Sequence, residues 1–273
     1  MIWLVSLGII VSIGGILILL VLNQHKAFTV TQISIPIDNL PSSFEGYRIA
    51  HISDLHMDSW LHRADILRVS AMIRQQAPDL IVMTGDFVTL RVGNKHEDMQ
   101  FALADFSAPD GVLAVLGNHD HWHNAGQVRE ILRSVGIHEL CNAYTVIEHE
   151  GNKLYVAGVD TMRFQQGDLT PILATMPADA PAILLAHEPD FALQSAPTKR
   201  FALQLSGHTH AGQIQLPPFG ILKKPRNGEI YSEGLYRVTD RMAVYVTRGI
   251  GSTGIPVRLF CPPEITMITL QSS

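Results

Sequence analysis

The chain has 273 residues, of which 47% are hydrophobic and 16% charged, a composition that excludes a disordered, collagen-like or coiled-coil protein. Its net charge of -5, without a long basic run, argues against binding to nucleic acid through bulk phosphate attraction. The two cysteines, Cys141 and Cys261, do not form a C-x-x-C motif. The sequence therefore indicates neither a disulfide scaffold nor a thiolate zinc site.

The N-terminal segment Met1–Leu22 contains no charged side chain. A helix of this length reaches roughly 33 Å, enough to cross the hydrocarbon core of a bilayer. A cleaved signal peptide is the alternative, but a positive n-region and a small-x-small cleavage site are both missing. We therefore predict a transmembrane anchor over residues 1–24 and one globular domain over residues 25–273. Lys26 favours a cytoplasmic position for that domain.

Short apolar runs that end abruptly in polar or glycine-containing residues recur along the domain. Each run predicts a buried strand, over Tyr47–Ser53, Leu80–Met83, Val112–Leu116, Ala182–Ala186 and Phe201–Leu205. Helices are expected over Arg63–Gln76 and Asn124–Val135, and a hairpin over residues 144–149 and 153–158. We expect Met242–Thr247 and Glu264–Leu270 to complete a second sheet. The pattern predicts an α/β fold, a two-sheet β-sandwich flanked by helices.

Polar side chains of metal-binding type follow five of the predicted strands. The clusters are Asp54-x-His56, Gly85-Asp86, Gly117-Asn118-His119-Asp120, His187 and Gly207-His208-Thr209-His210. Carboxylates mixed with imidazoles suit Mn, Fe or Zn better than an all-oxygen Ca or Mg cage. Residues i and i+2 on extended backbone point the same way, so Asp54 and His56 can reach one ion. Ligand sites collect at the carboxyl ends of parallel strands, which is where these clusters fall.

An ordinary structural role has to be weighed for each cluster. A single histidine after an apolar strand is usually a satisfied polar residue, and one D-x-H motif carries little weight. Five such clusters in this order argue against a purely structural role. The remaining histidines are interpreted as interior or solvated residues, except that the roles of two near the site, His121 and His123, stay open.

In this order the five clusters resemble the calcineurin-like metallophosphoesterase family over residues 47–270. The stretches Tyr245–Gly251 and Cys261–Ile265 are similar to the membrane-associated bacterial phosphodiesterase branch, whose members include Tat-exported and inner-membrane proteins. The resemblance implies a metallophosphoesterase-like fold and, with the predicted anchor, a single-pass protein of the bacterial inner membrane.

The resemblance also implies roles for individual residues. Two divalent metal ions are expected per chain, with Mn²⁺ the first choice and Fe, Zn, Co or Ni as alternatives. Asp86 would bridge the two ions, one held also by Asp54, His56 and His210 and the other by Asn118, His187 and His208. His119 would stabilise charge on the phosphoryl oxygens or protonate the leaving alkoxide, and Asp120 would orient it.

General chemistry supports the same mechanism. Two divalent ions outweigh the carboxylates of Asp54 and Asp86, leaving a cationic site that attracts a phosphate ester. A water between such ions is acidified toward a pKa of ~7 and can attack the phosphorus atom. The sequence has neither a G-x-S-x-G elbow nor a P-loop motif. The Asp-Arg pair of phosphoprotein phosphatases is missing from Gly85–Arg91, which favours a phosphodiester or pyrophosphate substrate.

The loop Gly212–Arg237 joins an apolar segment, Leu216–Leu222, to the basic residues Lys223, Lys224 and Arg226. A tethered domain meets lipids at high effective concentration, so we expect this loop to touch lipid and bind an anionic head group. An ordinary surface loop is the alternative. The resemblance suggests a phospholipid or UDP-2,3-diacylglucosamine as substrate. A phosphomonoesterase and a non-catalytic scaffold are the other functional possibilities; no nucleic acid or obligate protein partner is expected.

Overall fold

The structure is a computed structural model that describes residues 24–90, 92 and 95–273. The predicted anchor over Met1–Leu22 lies outside the described residues. Within the described ranges, no helix is both long enough and apolar enough to cross a membrane. The division into an anchor and one domain therefore stays a prediction.

Strands and helices alternate along most of the described chain. The strands are β1 (Thr29–Ile37), β2 (Arg48–Ile52), β3 (Leu80–Thr84), β4 (Val112–Val115), β5 (His138–Glu139), β6 (Ala143–His149), β7 (Asn152–Gly158), β8 (Ala182–Leu185), β9 (Leu203–Ser206), β10 (Gln215–Leu216), β11 (Gly220–Ile221), β12 (Gly234–Arg237), β13 (Ala243–Val246) and β14 (Glu264–Ser272). The helices are α1 (Arg63–Gln75), α2 (His96–Leu103), α3 (Asn118–His123), α4 (Ala125–Ser134), α5 (Thr170–Thr175) and α6 (Ala192–Ser195). The predicted α/β class is confirmed.

Two six-stranded sheets form the framework. The first has the order β1-β14-β2-β3-β4-β5, and its strands from β2 to β5 run parallel. The second has the order β12-β13-β9-β8-β7-β6, with a parallel centre from β13 to β7 and an antiparallel strand at each edge. A short hairpin, β10 with β11, lies outside both sheets.

The expectation that β13 and β14 both complete the second sheet was wrong for β14. β13 pairs with β9 in the second sheet, whereas β14 lies between β1 and β2 in the first. The segment between them crosses from one sheet to the other, and the backbone N–H of Ile250 donates to the carbonyl of Ser53 at the end of β2 (2.9 Å). Two apolar strands separated by a long loop do not reveal which sheet each one joins.

Alternation along the strands separates three apolar layers. In β2, Ile49 packs between the sheets, whereas Ala50 and Ile52 face α1, α2 and α4. Helix α1 buries Ile66, Val69 and Ile73, a spacing that places them on one face of the helix. A third cluster lies on the outer face of the second sheet under α5 and α6. Both sheets are thus covered, and their polar strand ends are left at one edge of the sandwich.

At that edge, two glycines allow their backbone segments to approach the residues at neighbouring strand ends closely. A Cβ atom added to Gly207 would lie 2.0 Å from Ser53 Oγ and 2.4 Å from Asp54 Oδ2. One added to Gly117 would lie 2.2 Å from Asp86 Oδ1. A side chain at either position would therefore displace an aspartate at the strand ends.

The variant Gly207→Ala should lower the free energy of unfolding by about 1–3 kcal/mol because the methyl group overpacks the β2 terminus. The control Gly126→Ala lies in the first turn of α4, where the added Cβ would be 3.2 Å from Asn124 Oδ1, the nearest atom apart from the adjoining backbone. Alanine is the better helix former and the contact is with a side chain, so this control should change stability by less than about 1 kcal/mol. Urea denaturation measures both, and equal stability of the two variants would contradict the close packing at Gly207.

Candidate metal centre

The polar clusters meet where the two sheets present the carboxyl ends of their parallel strands. Asp54 and His56 follow β2, Asp86 follows β3, and Asn118 and His119 follow β4. His187 follows β8, and His208 and His210 follow β9. All of these except His119 are buried. The sandwich thus collects side chains from positions 54 to 210 into one small volume.

The first group comprises Asp54, His56 and His210, whose ligand atoms all lie within 4.8 Å of one another. His56 Nε2 is 3.1 Å from His210 Nε2, and His210 Nε2 is 3.4 Å from Asp54 Oδ1. One carboxylate oxygen and two imidazole nitrogens therefore converge on one point, as a transition-metal ion requires.

The second group comprises Asp86, His187 and His208, again within 4.8 Å of one another. His187 Nε2 lies 3.2 Å from Asp86 Oδ2 and 3.1 Å from His208 Nδ1. The same Asp86 oxygen is 3.8 Å from His56 Nε2 of the first group. Asp86 therefore lies between the two groups, at the position expected of a bridging carboxylate.

Backbone carbonyls fix the orientation and the tautomer of the two imidazoles in the second group. His187 Nδ1 donates to the carbonyl of Thr84 (2.6 Å), and His208 Nε2 donates to that of Arg226 (2.8 Å). The other nitrogen of each ring then carries a lone pair directed at the cluster. This is the usual way in which a protein sets the tautomer of a metal-binding histidine.

Asn118 provides a direct test of whether a cation fits. Its Oδ1 is buried without a hydrogen-bond partner among the described residues. A buried unpaired carbonyl oxygen costs about 1–3 kcal/mol, so such atoms are usually satisfied. A divalent cation in the second group would satisfy it, and the donor set of both groups suits such an ion.

The backbone at the site adopts a conformation that side chains normally avoid. Positive φ angles occur at five of the seven expected ligands, namely Asp54 (57°), His56 (45°), Asp86 (55°), His208 (71°) and His210 (50°). Each costs about 1–3 kcal/mol for a non-glycine residue, and such residues concentrate at functional sites. Hydrogen bonds from the amides of Asp54 to Gly85 O (2.9 Å) and of His56 to Asp86 O (3.1 Å) hold two of them in place.

Burial and neighbouring charge determine the protonation states. Burial lowers the pKa of His56 to about 3 and that of His210 well below its usual value, so both rings are neutral and can bind a cation. Burial raises the pKa of Asp54 to about 6. It would also raise that of Asp86, but without a cation His187 is protonated, and its charge and hydrogen bond hold the pKa of Asp86 below its usual range. A metal ion bound at His187 Nε2 would replace that proton and leave the lone pair described above. The cluster is an electrostatically unfavourable group of buried polar atoms that added positive charge would relieve.

His119 lies over the first group, outside both sets of ligand atoms. Its ring centroid is 5.1 Å from that of His56, and its Nδ1 is 2.8 Å from the carbonyl oxygen of Thr89. With Nδ1 donating to this carbonyl, Nε2 is left to act on a substrate. The geometry is compatible with the acid or electrostatic role expected for His119.

The expectation that Asp120 orients His119 was wrong, because the carbonyl of Thr89 takes that position. The Asp120 carboxylate accepts hydrogen bonds from the amides of Gly117, Asp86 and Phe87, each at 2.9 Å, and from that of Val88 at 3.2 Å. It is fully buried and fastens the turn after β3 to the start of α3. Asp120 therefore supports the backbone that carries Asp86 and Asn118.

We expect Asp120→Asn to lower the free energy of unfolding by about 1–3 kcal/mol, because an amide NH₂ group would face backbone N–H donors. Urea denaturation measures this loss. The control Asp98→Asn removes only an exposed carboxylate 3.7 Å from Arg63 and should change stability by less than about 0.5 kcal/mol. If Asp120→Asn kept full stability and only shifted the pH–rate profile, the result would instead support the expected role of Asp120 in orienting His119.

A cavity of about 310 Å³ opens above the clusters. Besides Asp86, Asn118, His119, His208 and His210, its wall contains Trp122, Arg163, Thr209, Gly212, Gln213, Lys223, Pro225 and Thr253. The indole of Trp122 lies between His119, with ring centroids 4.4 Å apart, and the guanidinium of Arg163, 4.9 Å from the ring centroid. The cavity therefore combines an aromatic wall with two cationic side chains, Arg163 and Lys223.

The three basic residues expected to bind substrate have different surroundings. Lys223 lines the cavity. Lys224 Nζ donates to the carbonyl of Glu229 (2.9 Å) and is not part of the cavity wall. Arg226 contributes its carbonyl to His208, as described above, and its side chain is exposed.

Sequence reasoning missed several residues that shape the site. The buried guanidinium of Arg258 lies 3.2 Å from His210 Nδ1 and packs behind that ring. The Glu188 carboxylate accepts the amides of Met162 (3.0 Å) and Arg163 (3.1 Å), which places Arg163 at the cavity. His121, whose role was open, pairs with Asp160 (2.6 Å). Among these residues, Glu188 directly follows the expected ligand His187, and this adjacency is a signal that the sequence offered.

Two neighbouring histidine–carboxylate groups on a two-sheet sandwich define a candidate dinuclear metal centre. The chain belongs to the calcineurin-like phosphoesterase family, whose sequence profile matches residues 47–212. This confirms the family expected from the five clusters. Members of this family typically bind two divalent metal ions, and the two groups described above are the candidate sites for them.

Similar proteins are named metallophosphoesterases or phosphodiesterases. The metallophosphoesterase YkuE of Bacillus subtilis is 35% identical over 255 residues, covering 92% of this chain and 88% of the relative. The phosphodiesterase YaeI of Escherichia coli is 31% identical over 227 residues, covering 82% of each. A zebrafish (Danio rerio) transmembrane protein with a metallophosphoesterase domain is 33% identical over 266 residues, covering 92% of this chain but 59% of the relative.

Proposed function

We propose that the protein is a phosphodiesterase that works with two divalent metal ions, Mn²⁺ being the first metal to test. The observation that carries the proposal is the position of Asp86, whose Oδ2 lies 3.2 Å from a histidine of one group and 3.8 Å from a histidine of the other. A purely structural role of the cluster explains neither the position of Asp86 between the two groups nor the unpaired side-chain oxygen of Asn118. A non-catalytic scaffold would not need to keep the full set of donors.

The residues around the centre suit in-line attack on a phosphate ester. Two divalent ions would supply an activated water and positive charge for the phosphoryl oxygens. Asp54, His56 and His210 would hold one ion, and Asn118, His187 and His208 the other, with Asp86 shared. His119 Nε2 would stabilise developing charge or give a proton to the leaving oxygen. Arg163 and Lys223 would bind the remaining phosphate oxygens at the cavity wall.

A diester is the favoured substrate class for three reasons. The E. coli relative is a phosphodiesterase, and Gly85–Arg91 lacks the Asp-Arg pair of phosphoprotein phosphatases. The aromatic wall at Trp122 offers a surface for the second substituent that a diester carries and a monoester lacks. A pyrophosphate bond, as in UDP-2,3-diacylglucosamine, satisfies the same requirement, and a phosphomonoesterase is the alternative.

The first test uses the purified full chain, stripped of metal and titrated with Mn²⁺. We expect hydrolysis of bis-p-nitrophenyl phosphate to depend on metal and to exceed that of p-nitrophenyl phosphate.

His119→Ala should lower kcat about 10²–10⁴-fold while bound metal is retained, as expected for a lost acid. Asp86→Asn should lose both metal and activity. Full activity of either variant, or activity without metal, would refute the assigned roles.

A matched pair of lysines tests the cationic wall. Lys223→Ala should raise KM for the small diester by about tenfold, because one charge-assisted hydrogen bond to the phosphate is lost. Lys224→Ala should leave KM nearly unchanged, because Lys224 is held by the Glu229 carbonyl outside the cavity. Steady-state kinetics at fixed metal measures both. Equal effects of the two changes would contradict the placement of Lys223.

We also propose that residues 1–24 anchor the protein in the bacterial inner membrane, with the domain on the cytoplasmic side. Support comes from the uncharged stretch Met1–Leu22 and from the position of Lys26. The zebrafish relative is named as a transmembrane protein, although the chain covers only 59% of its length. A phospholipid or lipid-linked pyrophosphate is the corresponding substrate proposal.

A further inference from the structure

Large apolar side chains are exposed beside the mouth of the cavity. Six of them, from 37% to 81% exposed, lie on three segments and are termed the apolar rim: Trp60, Leu216, Phe219, Leu222, Ile255 and Phe260. Isolated exposed apolar residues are common on proteins, but a cluster next to a cavity marks an interaction surface.

Hydrogen bonds join the three segments into one surface. Trp60 Nε1 donates to the carbonyl of Gly254 (3.1 Å), next to Ile255. The amide of Gln215 donates to Leu259 O (2.9 Å), which brings the hairpin β10–β11 beside Phe260. Gln213 and Thr253, which line the cavity, are also bonded to each other (Thr253 N to Gln213 Oε1, 2.6 Å). The apolar rim is therefore continuous with the cavity wall.

The start of the described chain lies near the same edge. Lys26 Nζ is 2.7 Å from Asp65 in the first turn of α1, and Arg68 donates to the carbonyl of Lys26 (3.3 Å). Helix α1 begins at Arg63, three residues after Trp60 of the apolar rim. The proposed anchor, which ends immediately before this point, would therefore join the domain on the side where the rim lies.

Positive charge accompanies the apolar surface. Lys223, Lys224 and Arg226 directly follow Leu222, and their side chains are exposed. Apolar residues that enter the bilayer interface with basic residues beside them at head-group level are typical of a membrane-contacting surface.

We propose that the apolar rim rests on the lipid bilayer, so that the cavity opens toward the head groups of the membrane that holds the anchor. This inference relies on the proposed anchor and specifies how the proposed phosphodiesterase meets its substrate, an amphiphilic phosphodiester reached from the membrane surface. A second copy of the chain or another protein on the rim is the competing occupant.

The test uses the full chain in phosphatidylcholine vesicles, with and without phosphatidylglycerol. A fluorescent nitrobenzoxadiazole group is attached to Phe219→Cys or Phe260→Cys in a Cys141→Ser background. The control is Leu193→Cys, an exposed leucine on α6 with an exposure of 54% against 60% for Phe260. Phospholipids with a doxyl quencher near the head group should quench the labels at 219 and 260 severalfold more than the label at 193, and more strongly with phosphatidylglycerol.

Equal quenching at the three positions in chains that float with the vesicles would overturn the docking of the rim. The docking would also be overturned if lipid quenching were absent and the labels at 219 or 260 reported contact between chains. A chain that does not float refutes anchor and docking together. Hydrolysis of the soluble bis-p-nitrophenyl phosphate, measured on the same samples, tests the proposed chemistry separately.

A second variant tests the consequence for substrate. Phe219→Ser with Phe260→Ser removes two apolar groups outside the cavity wall. We expect hydrolysis of a phospholipid diester in vesicles to fall severalfold while that of the small soluble diester is unchanged. Equal activity on the vesicle substrate would contradict the inference.

Discussion

The strand ends bring carboxylates and imidazoles into a buried cluster that holds too little positive charge to balance the carboxylates. Asp54, His56, Asp86, His187 and His210 are nearly or fully buried within a few ångströms of one another. Isolated buried charges are costly, and proteins keep them when they are paired or bind metal. The left-handed backbone at several of these positions adds further cost. Two cations that share Asp86 would offset both the cost of burial and the cost of the backbone conformation. We therefore regard the metal centre as the feature that the arrangement of the strand ends serves.

The sheet topology explains how residues 54 and 210 come together. Parallel strands in each sheet place their carboxyl ends at one edge, and the two sheets face each other there. The segment after β13 then crosses the site, and the amides of Ile250 and Gly251 donate to the carbonyls of Ser53 (2.9 Å) and Asp54 (2.6 Å). The crossing therefore supports a proposed metal ligand while carrying the chain to the first sheet.

Much of this architecture could be predicted from the sequence, because buried parallel strands are continuous apolar runs and the ligands directly follow them. Strands such as β3, predicted over Leu80–Met83, were placed within a residue or two. The first strand, Thr29–Ile37, was missed although polar and apolar residues alternate along it, as is typical of a half-buried strand. The partner of β14 could not be predicted, since sheet membership depends on contacts between distant segments.

The support for the site was less predictable than the ligands themselves. The carbonyl of Thr89 orients His119, and a carbonyl is present at every position, so no sequence motif identifies it. Arg258 lies 48 residues from His210 in sequence and meets it only through the fold. Asp120 appeared catalytic because it adjoins His119, but its direction was set by four backbone amides. Neighbouring side chains in a short helix point apart, which a linear motif does not show.

The most direct measurement is the number and position of metal ions bound by the full chain. Crystals grown with excess Mn²⁺ and measured at the manganese absorption edge should show two anomalous peaks per chain on either side of Asp86. One should lie among Asp54, His56 and His210, and the other among Asn118, His187 and His208. A single peak, or peaks outside these two groups, would contradict a centre in which two cations share one aspartate.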